Sequence, residues 1–401
     1  MKIWTFNHYA GTPDITQATR SFDIGRQLVK GGHAITIFAS SFSEYSLQEE
    51  RLQKGESCKI ETCEGVRFVW IKTFPYSANN WRRIWNMLSY AWGAFWTGNG
   101  IKEKPDLIIG TCVHPLAVLS AYALSRIKKS RFFFEITDLW PQTLVDMGAI
   151  SNKNPITQVL RILEKFLLNK AERIIILMPQ ADTYITSLGV PKEKIVWIPN
   201  GIDILQYSNI QPYTGGNSCQ FIAMYLGRHG VANAIDISLQ AARLLQDKGN
   251  DNIKFIFVGD GPERQNLMQL SRDLGLRNVE FRERVPKYQV PAIMGEADAF
   301  LFTLKNISVI SKYGIGGNKI CDYLLSGRPI IFSCDSVNNP VAEANAGITI
   351  PSENPNALAE AIVRLAAMKP QERFQMGENG AAYAKKNYDI AFLAAKLENL
   401  L

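Results

Sequence analysis

Short runs of β-branched and apolar residues recur along the chain, each followed by a longer stretch in which apolar positions return every three or four residues. In the first half the runs are KIWTF, AITIFAS, VRFVWI, DLIIGT, RFFFEI and RIIIL, closed by VWIPNG. The second half repeats the rhythm with FIAMYLG, IKFIFVG, VEFRE, AFLFTL and PIIFS, separated by stretches such as AIDISLQAARLLQD and PERQNLMQLSRDLG. Unbroken apolar strands alternating with amphipathic helices predict βαβ units around parallel sheets that are covered on both faces. Between the halves, PNGIDILQYSNIQPYTGGNS is rich in Pro, Gly, Asn and Ser, the composition of a connection. The predicted class is therefore α/β, with two doubly wound, Rossmann-like domains facing each other across a cleft. They occupy 1–198 and 199–375, and the final helices, 376–401, are free to cross back to the first domain.

Length agrees, because 401 residues exceed what one hydrophobic core usually supports. No stretch of about 18 apolar residues occurs, so no membrane-spanning helix is expected. The opening MKIWTFNHYAG is too short and interrupted for a signal peptide and reads as a first strand and its turn. Six cysteines, at positions 58, 63, 112, 219, 321 and 334, are too scattered for a disulfide framework. The Cys58/Cys63 gap lacks a second pair or nearby histidines, so no zinc site is expected, and a reducing cytoplasm fits best.

Charge changes the picture more. The net +7 is carried by residues 1–198, with 24 Lys+Arg against 17 Asp+Glu, whereas residues 199–401 hold 20 of each. Such asymmetry points to an anionic partner for the first half. In WRRIWNMLSYAWGAFW, Trp81, Ile84, Trp85, Leu88, Trp92 and Phe95 recur at helical spacing beside Arg82 and Arg83. A basic, Trp-rich amphipathic helix suits the headgroup boundary of a bilayer; the alternative is an ordinary stripe turned into the core. Neither a recognition motif nor a long Lys/Arg cluster speaks for nucleic acid.

In open sheets of this type ligands bind beyond the carboxyl ends of the strands. In the first half these ends are NHYAGTP, GTCVHP and TDLWP, which carry His8, Gly11, His114 and Asp138. In the second they are GRHG, GDGPER and the loop that leads into KYGIGGNKICDYLLSGRP. GDGPER has Arg264 where a dinucleotide fingerprint needs its third glycine, and no Walker sequence exists. The glycines of the last segment are better candidates. Gly314, Gly316 and Gly317 allow close approach of a ligand, and a helix starting near Asn318 offers unpaired N–H groups, together a seat for a diphosphate. Lys319 and Arg228 supply positive charge, and Asp322 can accept from ribose hydroxyls. The competing reading is a loop capping a core helix, with Asp322 solvated.

These segments together resemble the family 4 retaining glycosyltransferases of the GT-B fold, especially bacterial enzymes that build O-antigen, capsule, exopolysaccharide or lipopolysaccharide units. The similarity runs in order from NHYAG through GHAITIFAS, FFFEITDLWPQTLVDMGAI, VWIPNGID, YLGRHG, FIFVGDGPERQNL, VPKYQVPAIMGEADAFL, YGIGGNKICDYLLSGRPII and AEANAGITI to the final helices. What the resemblance implies is transfer of a sugar, N-acetylated or deoxy, from a nucleotide diphosphate sugar, with uridine the preferred base. The acceptor implied is a lipid-linked saccharide at the inner face of the cytoplasmic membrane; no cofactor, metal or nucleic acid is expected.

The resemblance also distributes roles. Arg228, Gly230, Gly316, Gly317, Asn318 and Lys319 match the diphosphate site, Asp322 the ribose contact, and Val285 and Lys287 the region facing the base. His114 resembles the histidine near the donor sugar. By their place at strand ends, His114 and Asp138 are the catalytic candidates, to orient acceptor or sugar, the alternative for each being a strand-end cap or a packed polar residue; His8 and Gly11 lie in the acceptor-side loop, and the helix with Trp81, Arg82, Arg83 and Trp85 is the candidate membrane contact. Two departures stand out. Gly314 replaces the first acid of the family's paired motif, with Glu343 or Lys319 as candidates to compensate. The lysine that follows the Gly-Arg strand end has only Asn233 or Ala234 in its place. The alternatives are a sugar-nucleotide epimerase of the same fold and a non-catalytic nucleotide-sugar-binding subunit.

Overall fold

The computed structural model describes residues 1–14, 19–44, 46–77, 81–208, 210–213 and 220–401. Positions 209 and 214–218 of the connection, together with Cys219, lie outside the described residues. The chain divides into two compact units, Met1–Pro199 with Ile390–Leu401, and Asn200–Asp389.

The sheet of the first unit contains β1 (Lys2–Phe6), β2 (Ala34–Ser40), β3 (Cys58–Cys63), β4 (Val66–Ile71), β5 (Leu107–Cys112), β6 (Arg131–Ile136), β7 (Arg173–Ile176) and β8 (Ile195–Trp197). Their order is β3-β4-β2-β1-β5-β6-β7-β8. All neighbours are parallel except β3, which pairs antiparallel with β4 through a tight turn. Glu64 and Gly65 both take positive φ there, 46° and 83°, the geometry that matches the twist of a two-residue hairpin. Helices Arg20–Lys30 and Ile390–Glu398 cover one face of this sheet around Ile3, Phe22, Phe68, Trp70 and Leu393. Trp81–Gly100, Pro115–Lys128 and Pro155–Lys170 cover the other. Gly98 is where the first of these comes closest, since a Cβ there would stand 2.6 Å from Leu124 and 3.5 Å from both Phe6 and Phe38.

The second unit contains β9 (Phe221–Leu226), β10 (Ile253–Val258), β11 (Val279–Arg282), β12 (Ala299–Thr303), β13 (Ile330–Ser333) and β14 (Gly347–Ile350) in the order β11-β10-β9-β12-β13-β14, all parallel. Ile235–Asp247 and Pro355–Ala367 close one core with Phe255, Phe257 and Leu301. Asn318–Leu325 and Pro370–Asn387 close the other with Met224, Phe300 and Phe332. Pro370–Asn387 stays with the second unit because Gly377 and Gly380 bring it against the Gly327 carbonyl and Ala346; only from Ile390 does the chain belong to the first unit.

Each sheet reverses its winding once. In the first the reversal falls between β1 and β5, in the second between β9 and β12, and ligands of doubly wound sheets bind at these switch points. A buried ion pair holds the first. Arg20 donates to Glu135 on β6 at 3.0 Å and to the carbonyls of Ile198, at 2.9 Å, and Pro199. Thr111 on β5 donates to the second Glu135 oxygen at 2.8 Å. Glu135→Leu leaves the guanidinium buried without its counter-charge and is expected to destabilise by about 3–5 kcal/mol. Thr111→Val removes one neutral donor and should cost about 1 kcal/mol; urea unfolding midpoints measure both.

Candidate functional site

The carboxyl edge of the second sheet is built from two glycine loops pressed together. Gly259, just past β10, has φ +143°, and a Cβ on it would lie 2.0 Å from the Gly227 carbonyl oxygen. Gly261, at φ +156°, would meet the His229 carbonyl oxygen at 2.4 Å. GDGPER therefore owes its glycines to main-chain contact with the loop after β9, not to a cofactor. That loop is also tied across the switch point: Thr303 donates to the Asn233 carbonyl at 2.6 Å, and the Lys305 N–H to Ala232 at 2.9 Å.

Into this frame the helix Asn318–Leu325 delivers Lys319. Its ammonium donates to the Tyr225 hydroxyl at 2.8 Å and to the Asn233 side-chain oxygen at 2.5 Å, and lies 4.6 Å from the Tyr225 ring centroid. Tyr225 and Asn233 in turn donate to the Arg228 carbonyl, at 2.7 and 2.9 Å. The lysine stem crosses Gly227, where a Cβ would be 2.7 Å from Lys319 Cδ. Burial among these groups pulls the Lys319 ammonium down to about 7. The sequence left Asn233 or Ala234 at the place of a missing lysine; the fold brings Lys319 to Asn233 from another element.

The other residues expected on the donor side also belong to the second unit. Arg228 is exposed, and Gly230 turns the loop by donating to the Arg228 carbonyl at 3.1 Å. Gly314 turns the chain at φ +94°, and the Ile315 N–H is held by Asn338 at 2.8 Å. The Gly316 carbonyl accepts from Asn200. Gly317 caps the helix without a side chain and, with Asn318, is exposed, so the first-turn N–H groups have no side-chain cap. Asp322 is not solvated: it is half-buried and accepts from the Tyr207 hydroxyl at 2.6 Å. Val285 and Lys287 follow β11, the strand beside β10. Glu343, one candidate to compensate for the acid absent at Gly314, accepts from Tyr383 at 2.5 Å.

His229, in the loop after β9, is a residue that no motif of the sequence marks. Its ring is fully buried, without a hydrogen-bond partner, 6.1 Å from Phe281 between centroids. Burial and then the Arg264 charge lower it to about 4. An imidazole so enclosed reads as packing, and only the GRH tripeptide at a strand end could have drawn attention to it.

At the first switch point His8, after β1, meets His114, after β5, with ring nitrogens 2.7 Å apart. The Ala117 N–H donates to His114 Nδ1 at 3.3 Å, making His114 the cap of its helix. The proton of the neutral ring is then on Nε2 and is donated to His8 Nδ1, which leaves the His8 proton on Nε2. The His8 ring is stacked between Tyr9 and Tyr90, at 4.3 and 4.2 Å. His8 and His114 are 0% and 1% exposed. Burial first, then the His114 and Arg83 charges, put His8 well below its usual range, while burial and Arg83 take His114 to about 3. His114 is thus enclosed and neutral, and it caps the helix that follows it. Asp138, past β6, keeps exposed surface, yet protein packed around its carboxyl, and then the Glu44 charge, raise it above the ordinary carboxylate range. Gly11 lies buried in the turn after β1.

On the helix Trp81–Gly100 the inward face is Asn86, Met87, Tyr90, Ala94 and Gly98. The tryptophan stripe points outward, with Trp81 60%, Trp85 54% and Trp92 69% exposed, so it is not a core stripe. Arg82 is exposed beside Trp81, but Arg83 turns inward to Tyr9 and to Glu44, 4.0 Å away; its charge is not on the outer face. Among the described residues no helix is long and apolar enough to cross a membrane.

Comparison with known proteins agrees with this fold. A family described as Glycosyl transferase 4-like domain matches residues 16–201, and one described as Glycosyl transferases group 1 matches residues 220–368. The chain belongs to the GT4-like glycosyltransferases of the two-domain GT-B fold. It is 26% identical over 181 residues to an alpha-D-kanosaminyltransferase of Streptomyces kanamyceticus, a match that spans 45% of each chain. It is 21% identical over 291 residues to the putative colanic acid biosynthesis glycosyl transferase WcaI of Escherichia coli, spanning 69% of this chain and 70% of that one. Among solved structures, sucrose-phosphate synthase from Thermosynechococcus elongatus has a TM-score of 0.77 at 15% identity, covering 100% of this chain and 98% of the other. Anabaena HepE in complex with UDP-glucose has a TM-score of 0.69 at 17% identity, covering 100% of both.

Two pH dependences follow. The buried histidines are neutral when folded and titrate near 6.5 when unfolded, so between about pH 6.5 and 3 the unfolded chain holds more protons. Stability is full above pH 6.5 and falls as pH drops, by about 1 kcal/mol per ring near pH 5.5; melting temperatures measured from pH 7 to 5 should fall less steeply in His114→Gln. A bound diphosphate would stabilise the charged form of Lys319, so its binding takes up protons. Uridine diphosphate affinity is expected to decline as pH rises from about 7 to 9, and calorimetry in buffers of different ionisation enthalpy should register the uptake, which Lys319→Ala abolishes.

Proposed function

We propose that this glycosyltransferase moves a sugar from a uridine diphosphate sugar to a hydroxyl of a lipid-linked saccharide, with retention of anomeric configuration, during assembly of a bacterial surface polysaccharide. The observation that carries the reading is the seat of the Lys319 ammonium beside the Gly227–Gly230 loop, next to an exposed Arg228 and a helix start that has no side-chain cap. In this reading the N–H groups around Gly316, Gly317 and Asn318, with Gly230 in the facing turn, receive the diphosphate, and Arg228 and Lys319 offset its charge. Asp322 exchanges or shares its Tyr207 bond with the ribose, and Val285 and Lys287 flank the base. Two similar proteins, HepE in complex with UDP-glucose and the putative colanic acid biosynthesis glycosyl transferase WcaI, support the donor and the biological setting.

The reacting bond joins the anomeric carbon to the diphosphate oxygen, which keeps the electron pair as the bond breaks. Cations and oriented N–H groups already in place lower the energy of that developing charge without reorganising. The acceptor oxygen then attacks from the same face, and its proton passes to the departing phosphate. Asp138 orients the acceptor, while His114 and His8 act as positioning residues that shape the acceptor side together with Gly11. The outward Trp81, Arg82 and Trp85 meet the inner face of the cytoplasmic membrane, where such an acceptor resides.

Incubation of labelled uridine diphosphate sugars with a lipid-linked acceptor should yield a glycolipid whose anomeric configuration matches the donor. Free or isomerised sugar would instead mark an epimerase, and no product a binding subunit. Gly317→Val is a sharp companion test, because a Cβ there has no protein atom within 4 Å and φ is already −73°. The fold is expected to be undisturbed while thermal stabilisation by the donor is lost, with affinity lowered by about tenfold or more.

A further inference from the structure

The three helices over one face of the first sheet, Trp81–Gly100, Pro115–Lys128 and Pro155–Lys170, lie side by side, the middle one packed against both others. Their inner sides are consumed by the core, with Tyr90, Ala121, Leu124 and Leu167 all fully buried. The outer sides of such helices are ordinarily polar. Here they are not. Besides the exposed tryptophans of the first helix, the third exposes a ridge of its own, Ile156 at 62%, Val159 at 64% and Ile162 at 71%. Ile127 of the middle helix, 54% exposed, lies on the helix between them.

Charge on this face is one-sided. The first two helices contain no Asp or Glu, and the only acid of the third is Glu164, 5% exposed and bonded to the Tyr184 hydroxyl at 2.8 Å. The exposed ionic groups of the three helices are Arg82, Arg126, Lys165 and Lys170. A face that is apolar and cationic, with no exposed anion, complements an anionic lipid surface. It does not complement itself: a two-fold contact with a second copy would set the same cations against each other with no acid to pair them. Outer helices about 20 Å apart, the longest about 30 Å in length, give a footprint of several hundred square ångströms, a size that on a monomer marks an interaction site.

We infer that this whole three-helix face docks flat on an anionic bilayer, so that Trp81, Trp85 and Trp92 enter the headgroup boundary together with Ile156, Val159 and Ile162. The inference deepens the reading of the acceptor as lipid-linked, and rests on that reading for its purpose. It differs from a single-helix contact by giving the helix Pro155–Lys170 an equal part.

Sedimentation of the full chain with vesicles decides between them. Native protein should sediment with phosphatidylcholine vesicles containing about 30% phosphatidylglycerol far more than with phosphatidylcholine alone. Ile156→Ser, Val159→Ser and Ile162→Ser together should lower that partitioning about tenfold, comparably to Trp85→Ser with Trp92→Ser. Native binding by the triple variant, with loss only in the tryptophan variant, would overturn the platform in favour of one helix. Equal binding to neutral vesicles would overturn the electrostatic part. Failure to bind either vesicle, with a native dimer that the triple variant converts to monomer, would assign the face to a second copy. Thermal stabilisation of the triple variant by a uridine diphosphate sugar should match native, which shows that the fold and donor side survive. If vesicle binding holds but no lipid-linked acceptor is glycosylated, the proposed function fails and the docking face stands.

Discussion

Contact of bare main chain with bare main chain sets the carboxyl edge of the second sheet. Where the Gly259 and Gly261 α-carbons meet the carbonyls of Gly227 and His229, there is no volume for even a methyl group, so two strand-end loops become one rigid rim. Everything that makes the site chemical is hung on that rim. Tyr225 and Asn233 can converge on the Arg228 carbonyl only because the loop is held there, and their other valences then receive Lys319. A flexible loop would pay the ordering entropy of these groups whenever a ligand arrived; a pinned one has met it on folding.

The two switch points answer the same problem of polar groups at strand ends in opposite ways. At the second, a cation is kept among aromatic rings and neutral acceptors, its charge weakened by burial and so ready to be restored by an anion. At the first, two imidazoles bond to each other beside two tyrosine rings. The bond between the rings ties the turn after β1 to the helix after β5, while His8 Nε2 is buried without a hydrogen-bond partner. The two edges are accordingly unequal: one holds a buried cation, the other a neutral imidazole pair.

The outer helical face adds a third constraint. Exposed tryptophan and isoleucine at this density oppose solubility unless something covers them, and the absence of acids from the same surface narrows what that can be. Folding alone did not require it, since Tyr90, Leu124 and Leu167 already supply the inner packing.

Much of this was legible in the chain. The runs that became β1, β2, β4 to β7, β9, β10, β12 and β13 are largely apolar on both faces, as a covered parallel strand requires, whereas VEFR of β11 alternates as an edge strand does; family resemblance drew on the order of the segments. The edge strands β3 and β14 were not read out. CKIETC is largely exposed and GITI is four residues long, so each is a strand because a neighbour offers it a ladder, a fact no local pattern encodes.

Sequence by itself determined the class of fold, the switch-point loops, the residue types that could hold a diphosphate, and the tryptophan periodicity, because these depend on spacing along one chain. Tertiary structure alone decided which way that stripe faces, that Arg83 turns in while Arg82 stays out, that His114 is enclosed, and that Lys319 reaches Asn233 from 86 residues away. These are questions of what lies opposite a side chain, and the groups opposite come from distant segments whose meeting only the packed sheet and its helices settle.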